Sequence, residues 1–169
     1  MAEIDDTQLY LPDLWATHAR FHGTKTAVIC GDRRETWHEL NAGFNRIANQ
    51  LLAAGVGRGD KVAVLMSNSI EMLHVMFGIV KAGAVVVPVN LLIGADEVRY
   101  VLSDAAVKGI FYFEAFAEKV AAFREGIEGL EFGVSIGASP APEGDTAWAE
   151  VLGSEEAPPD VAFDPKEDL

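Results

Sequence analysis

The stretch from Gly55 to Asn90 constrains the fold of this chain more than any other, because it lays out a strand, a helix and a second strand in order. Val62 to Met66 is a short unbroken apolar run, which is the pattern of a strand covered on both faces. Asn68 or Ser69 can then cap a helix that is apolar on more than one side, so this helix is predicted to be deeply buried. The next strand is predicted from Ala84 to Val89.

Strands and helices continue to alternate after this stretch. The apolar pattern predicts helices over residues 95–105 and 116–127, and strands over residues 109–113 and 132–136. Pro88 has no amide hydrogen to donate, so its strand is predicted to end there or to lie at a sheet edge. Alternation at this spacing implies right-handed crossovers and an α/β fold, with a doubly wound, mostly parallel sheet and helices on both faces.

Two local patterns precede the sheet. Ala27 to Cys30 and Arg34 to Thr36 flank a turn that contains glycine, which predicts a short hairpin. Thr36 and Glu39 have the spacing of a capping box, in which each side chain accepts from the other residue's backbone amide. A helix is therefore predicted to begin there, and Gly55 stands where a left-handed residue would end it.

The end of the chain differs in composition from the rest. Five prolines interrupt residues 138–169, and from residue 143 onward nine acids face a single lysine. We therefore predict an α/β domain over residues 1–137 and an acidic, proline-rich connector over residues 138–169, with one short helix around Trp148 to Leu152. A chain of 169 residues has the length of one ordinary domain.

Charge and hydropathy exclude some partners. A formal net charge of -13 without a basic stripe disfavours nucleic acid and anionic membrane surfaces. No apolar run approaches the length that spans a bilayer. A mean hydropathy of +0.16 is high for an isolated domain, so some apolar surface is expected to meet the remainder of a longer polypeptide. The single Cys30 and the acidic start MAEIDD favour a cytoplasmic protein.

The glycine cluster over residues 55–60 has the composition of a phosphate-binding loop. Such a loop follows a strand and opens a helix, so that the helix N-terminus faces the anion. This cluster instead follows a helix and leads into a strand. A structural turn is therefore the favoured interpretation.

No residue pattern indicates a catalytic or metal site. Of the four histidines, only His18 and His22 share helical spacing, and no ligand set surrounds them or His38. His74 lies on the buried helix and needs a partner if it is enclosed. Cys30 is interpreted as a small buried hydrophobe rather than a nucleophile. The paired carboxylates lie at the N-terminus, at a helix start and in the connector, where helix capping and solvation explain them.

An ordered set of short motifs runs through the first two thirds of the chain. Its members are Leu11–Trp15, Thr36–Leu40, Gly55-Val56, Gly59–Ala63, Asn68, Glu71, Lys81–Ala84, Pro88-Val89-Asn90, Glu97 and Tyr100. This set resembles the N-terminal region of the adenylate-forming enzymes, a superfamily that includes acyl-CoA synthetases, firefly-type luciferases and the adenylation domains of peptide synthetases. The resemblance extends from Leu11 to Ala106, and its start is most similar to fatty-acyl and aryl-acyl CoA ligases.

The resemblance implies an ATP-dependent ligase. Such enzymes join a fatty or aryl carboxylic acid to ATP with the help of magnesium, and then pass the acyl group to CoA. The family's phosphate loop and later motifs are not in this sequence, although Asp164 to Leu169 resembles the segment that leads into that loop. We therefore expect an N-terminal fragment that is inactive alone and binds none of ATP, magnesium or CoA tightly, with no catalytic or metal residue.

The sequence departs from the family after the second strand. Many relatives continue from Asn90 with Pro-Arg and then a Thr or Ser cap, whereas this chain has Leu91, Leu92 and later Gly94. Leu92 cannot make the contact with the CoA phosphate that the arginine makes in some relatives. Asn90, at the carboxyl end of a strand, is the one weak candidate for cofactor binding, and a structural side-chain bond is the favoured role for it.

Two other functions remain open from the sequence alone. The first is a stand-alone, non-catalytic α/β module that binds a protein through its exposed sheet or acidic tail. The second is a nucleotide-binding domain of another kind. The oligomeric state is also open, with a homodimer as one alternative.

Overall fold

The computed structural model describes residues 10–137 and 140–163. No helix within these two ranges is long and apolar enough to cross a membrane. The helices are α1 (Leu11–His22), α2 (Trp37–Ala53), α3 (Ile70–Lys81), α4 (Ala95–Ala105), α5 (Ala117–Arg124) and α6 (Trp148–Leu152). The strands are β1 (Thr26–Cys30), β2 (Arg33–Thr36), β3 (Lys61–Leu65), β4 (Val85–Pro88), β5 (Gly109–Phe113), β6 (Phe132–Ile136) and β7 (Thr146–Ala147).

The predicted doubly wound parallel sheet is confirmed. Five strands pair in the order β4-β3-β5-β6-β7, and every neighbouring pair is parallel. Along β3, Val62 and Val64 belong to the core beneath α2, α3 and α6, whereas Ala63 and Leu65 belong to the core beneath α4 and α5. Both faces of β3 are therefore buried, which explains the unbroken apolar run of this strand.

The predicted hairpin and the position of Pro88 are also confirmed. Strands β1 and β2 form a separate antiparallel ribbon. Pro88 is the last residue of β4, which lies at one end of the five-stranded order. The missing amide of Pro88 therefore leaves no ladder hydrogen bond unmade inside the sheet.

Local signals set the two ends of α2. The Thr36 hydroxyl accepts from the Glu39 amide at 3.3 Å, and the Thr36 amide donates to the Glu39 carboxylate at 2.8 Å. This is the predicted capping box. At the other end, Gly55 has a φ of 76°, and the Val56 amide donates to the Leu51 carbonyl at 2.9 Å. That bond closes the helix in a Schellman motif.

The segment predicted as a connector contributes to the core in its described part. Thr146–Ala147 extends the sheet as β7, and the predicted helix α6 places Val151, which is fully buried, against α2. A two-residue strand has no periodicity that a sequence could reveal, and prolines and acids around it are typical of an exposed segment. The division of the chain at residue 137 stays a prediction.

Residues 154–157, which we call the strap, run along α2. The Asn45 side-chain amide donates to the carbonyl of Glu156 at 2.6 Å. The Asn49 side-chain amide donates to the carbonyls of Glu155 and Ala157, at 2.7 and 2.9 Å. Because these bonds are made to the strap's main chain, they fix its path without depending on its side chains.

Candidate functional site

The strand order reverses at one point of the carboxyl edge of the sheet. The chain leaves β3 toward β4 on one side and returns to β5 on the other, so the order reverses between β3 and β5. Ligands of open parallel sheets bind at such a reversal. Ser67 and Asn68 follow β3, Glu114 follows β5, and all three are exposed. This edge, which we call the crevice, is the candidate site.

Asn90 lies at the same edge, after β4, and its side chain is used locally. Its Oδ1 accepts from the Leu92 amide at 2.9 Å, which closes an Asx turn. The structural bond favoured from the sequence is therefore present. A role for Asn90 in cofactor binding stays a prediction.

Lys119 holds the loop that follows Asn90, a contact that no sequence pattern predicted. Its ammonium group donates to the carbonyl of Leu91 at 3.0 Å and also to that of Ile93. Between these two anchored residues, Leu92 is 92% exposed. The loop therefore presents an apolar side chain to solvent.

The two groups with the largest pKa shifts, Lys81 and Tyr112, are both hydrogen-bonded within the protein. Lys81, at the end of α3, is only 5% exposed, and this burial lowers its pKa to about 8. Its ammonium group donates to the Asn41 side chain on α2 at 2.7 Å. Lys81 therefore joins two helices within the core rather than facing a ligand.

A second buried polar cluster anchors the start of β7. The Tyr112 hydroxyl and the Arg124 guanidinium both donate to the Asp145 carboxylate, whose side chain is 1% exposed. Burial raises the pKa of Tyr112, and the hydrogen bond to Asp145 raises it further. The tyrosine therefore stays protonated and acts as a structural donor.

The glycine loop uses its amides within the fold. The Gly57 amide donates to the Asp60 carboxylate at 2.9 Å, and this bond is the main cause of the lowered pKa of Asp60. The Gly59 amide donates to the Gly83 carbonyl at 3.0 Å, and Lys108 reaches Asp60 at 3.2 Å. Two amides that a phosphate would need are thus already bonded, which supports the structural interpretation.

The histidines fit structural roles, whereas the interpretation of Cys30 is wrong. His74 is 7% exposed, and its Nε2 lies 2.7 Å from the Glu35 carboxylate, which is the partner that its burial required. The His18 ring packs against Trp37 in a tilted arrangement, with 4.7 Å between ring centroids. No group of three His, Cys, Asp or Glu residues in the described ranges could hold a metal. Cys30 is exposed, because β1 belongs to a two-stranded ribbon rather than to the covered sheet.

Comparison with known proteins agrees with the fold. The family model of the AMP-binding enzyme matches residues 15–168, so the chain belongs to this family. The resemblance to adenylate-forming enzymes predicted from the sequence is thereby confirmed. The part matched is the N-terminal portion of the AMP-binding domain.

Several of the similar proteins are named as CoA ligases. The chain is 42% identical over 93 residues to the long-chain-fatty-acid–CoA ligase FadD13 of Mycobacterium tuberculosis, which is 55% of this chain and 18% of that protein. It is 40% identical over 93 residues to the 3-hydroxybenzoate–CoA/4-hydroxybenzoate–CoA ligase of Thauera aromatica, with the same 55% and 18% coverage. The crystal structure of the anthranilate CoA ligase AuaEII with anthranoyl-AMP matches with a TM-score of 0.83 at 28% identity, over 90% of this chain and 30% of that one. The chain thus spans about a fifth of the length of these curated relatives.

Proposed function

We propose that the whole protein is an ATP-dependent acyl-CoA ligase to which this chain contributes the N-terminal portion. In the first step a carboxylate oxygen of the substrate attacks the α-phosphorus of ATP, and pyrophosphate leaves. In the second step the thiol of CoA attacks the acyl carbon, and AMP leaves. The observation that carries this proposal is the family match over residues 15–168, joined to relatives that are named as CoA ligases.

We propose a fatty or aryl carboxylic acid as the substrate and ATP, magnesium and CoA as the cofactors. Relatives of both substrate classes support the acid, and the family supports the nucleotide. Magnesium is proposed on chemical grounds, because a cation neutralises charge around the reacting phosphorus. A cytoplasmic location and a homodimer remain part of the proposal.

The described residues support a structural contribution to this reaction. The crevice lies where ligands of parallel sheets bind, but the buried, perturbed groups Lys81 and Tyr112 are engaged within the core. Leu92 brings no charge to the loop after β4, so we expect no ionic contact with a CoA phosphate there. We therefore propose that the 169-residue chain is inactive by itself.

Carboxylate-dependent pyrophosphate exchange into ATP tests the proposal. The natural gene product, with its intact mass determined, is assayed with a fatty acid and with a hydroxybenzoate, and the 169-residue chain is assayed in parallel as the matched control. We expect exchange from the longer product only. Exchange by the short chain would refute its inactivity, whereas a natural product near 18.2 kDa would favour the non-catalytic binding module.

A further inference from the structure

A cleft with an unusual concentration of arginine lies outside the crevice. The β1–β2 ribbon, α2, α3 and the strap enclose a volume of about 510 Å³. Binding pockets for small ligands are typically about 300 to 1,000 Å³. The chain has a net charge of -13 and only seven arginines, yet three of these line this one cleft. The basic residues that line it are Arg33, Arg34, Arg46, His38 and His74.

The carboxylates of the cleft are already engaged. Glu35 lies 2.7 Å from His74, and Glu39 closes the capping box of α2. Glu156, which the strap brings in, pairs with Arg46. Each acidic group therefore has a donor of its own, which reduces its repulsion of a further anion.

Two of the arginines retain donors that are not used. The side chain of Arg34 forms no ion pair or hydrogen bond with any residue of the described ranges. Arg46 pairs with Glu156 through Nη2, while its Nε is buried and has no partner among the same residues. Arginine binds carboxylate and phosphate best through two parallel N–H bonds. The Glu156 carboxylate thus pairs with one nitrogen of Arg46 and leaves the Nε of Arg46 and the side chain of Arg34 unbonded.

We propose that this cleft binds a small multivalent oxyanion of the polycarboxylate or phosphate type, and that Glu156 occupies it as an intramolecular substitute. A second anionic group on the ligand would reach the unpaired Arg34, which the single carboxylate of Glu156 leaves without a partner. The site is independent of the proposed ligase reaction, since none of its residues lies at the crevice.

The Glu156 side chain can turn away from Arg46 without unfolding the strap. Its side chain is 55% exposed, and exposed ion pairs contribute only about 0.2 to 1 kcal/mol. Asn45 and Asn49 hold the strap through main-chain carbonyls, which stay bonded when the glutamate side chain turns away. The expected exchange is therefore a side-chain rotation that opens the arginine to a ligand.

Isothermal titration calorimetry of the 169-residue chain at constant ionic strength tests the proposal. Citrate is the probe for polycarboxylates and inorganic pyrophosphate is the probe for phosphates. Glu156→Gln should tighten binding of the preferred probe about two- to fivefold, because the competing ion pair is removed. Arg46→Gln should weaken it at least about tenfold, because a charged donor is lost from the site. Arg20→Gln changes the net charge equally at a residue outside the cleft, and should leave the affinity unchanged.

The outcomes separate a built site from general electrostatics. Binding of either probe with this order of variants supports the proposal and identifies the ligand type. Equal weakening by Arg20→Gln and Arg46→Gln would show that net charge alone is sensed, and would overturn it. No heat from either probe with Glu156→Gln at millimolar concentration would also overturn it, provided that circular dichroism shows the variant folded.

Discussion

Lys81 shows how a single residue can belong to a family pattern without facing a ligand. It is part of the Lys81–Ala84 segment that carries the resemblance, and it lies almost entirely inside the protein, bonded to Asn41. A buried ammonium group is stable only when it is hydrogen-bonded or loses its proton. Burial accordingly lowers its pKa to about 8, against the weaker opposing charge of Asp13.

Replacement of Lys81 by methionine should change how stability depends on pH. The unfolded lysine binds its proton up to a pKa of 10.5, whereas the folded one releases it near 8. The unfolded state therefore binds more protons between these values, and wild-type stability rises with pH across this window. The difference in free energy of unfolding between the wild type and Lys81→Met should therefore shift in favour of the wild type by on the order of 3 kcal/mol from pH 8 to 10.5.

Urea unfolding followed by tryptophan fluorescence at several pH values measures this gain. Lys25→Met, at an exposed lysine, is the matched control for titration of the rest of the chain. Parallel pH curves for wild type and Lys81→Met would contradict the expectation.

Helix ends show how far local signals determine the elements of this fold. Gly55 and Gly83 end α2 and α3 with φ values of 76° and 79°. Ala106 ends α4 in the same way, with a φ of 52°, and it is the one non-glycine residue of the described ranges with positive φ. The Val107 amide still closes the motif on the Leu102 carbonyl at 3.1 Å. Ala106 therefore places a Cβ atom in the left-handed conformation, which is sterically unfavourable for any residue except glycine.

Ala106→Gly should stabilise the protein by about 0.5 to 1 kcal/mol, because glycine adopts the left-handed conformation without steric strain. Ala105→Gly, one residue earlier and still helical, should destabilise it by up to about 1 kcal/mol. Urea unfolding midpoints of the two variants give both values. Destabilisation by both substitutions would show that the strain at Ala106 is already relieved.

Elements with such local signals were predictable from the sequence, and others were not. The capping-box spacing of Thr36 and Glu39 predicts the start of α2. The predicted bounds of α4, β5 and β6 agree with the structure. Strand β3 begins and ends one residue earlier than predicted, because Lys61 also pairs with its neighbour. Strand β7 exists only through its pairing with β6 and the bonds of Asp145, so no short-range pattern predicts it.

At the scale of the whole molecule, the features missed from the sequence join distant parts of the chain. Lys119 reaches a loop 26 to 28 residues earlier, and Asn45 holds Glu156 across 111 residues. Side-chain periodicity cannot reveal bonds of this kind. The sequence predicted the edge of the sheet where the crevice lies, but not the arginine cleft, which forms only when the strap meets α2 and the ribbon.

Asn49→Ala should loosen the strap, because it removes the side-chain amide that donates to the carbonyls of Glu155 and Ala157. We expect a loss of about 1 to 2 kcal/mol in local stability and at least about fivefold faster cleavage after Glu155 and Glu156 by a glutamyl endopeptidase. Mass spectrometry of the products measures each cleavage rate. Cleavage after Glu143, in an exposed segment, provides the internal reference.

Asn68→Ala, at an exposed asparagine after β3, is the matched control and should leave strap cleavage unchanged. Unaltered cleavage in Asn49→Ala would mean that Asn45 and the neighbouring packing are enough to hold the strap.

The hydrogen bond between Asn45 and the strap also depends on the order in which its two partners are synthesised. Asn45 is 3% exposed in the folded chain, and its partner Glu156 is synthesised 111 residues later. At about 5 to 20 residues per second, the ribosome needs roughly 5 to 20 s to add them. During this interval Glu156 is not yet available to Asn45, so α2 cannot make this bond on the nascent chain. The strap therefore sets the earliest time at which α2 can be fully bonded.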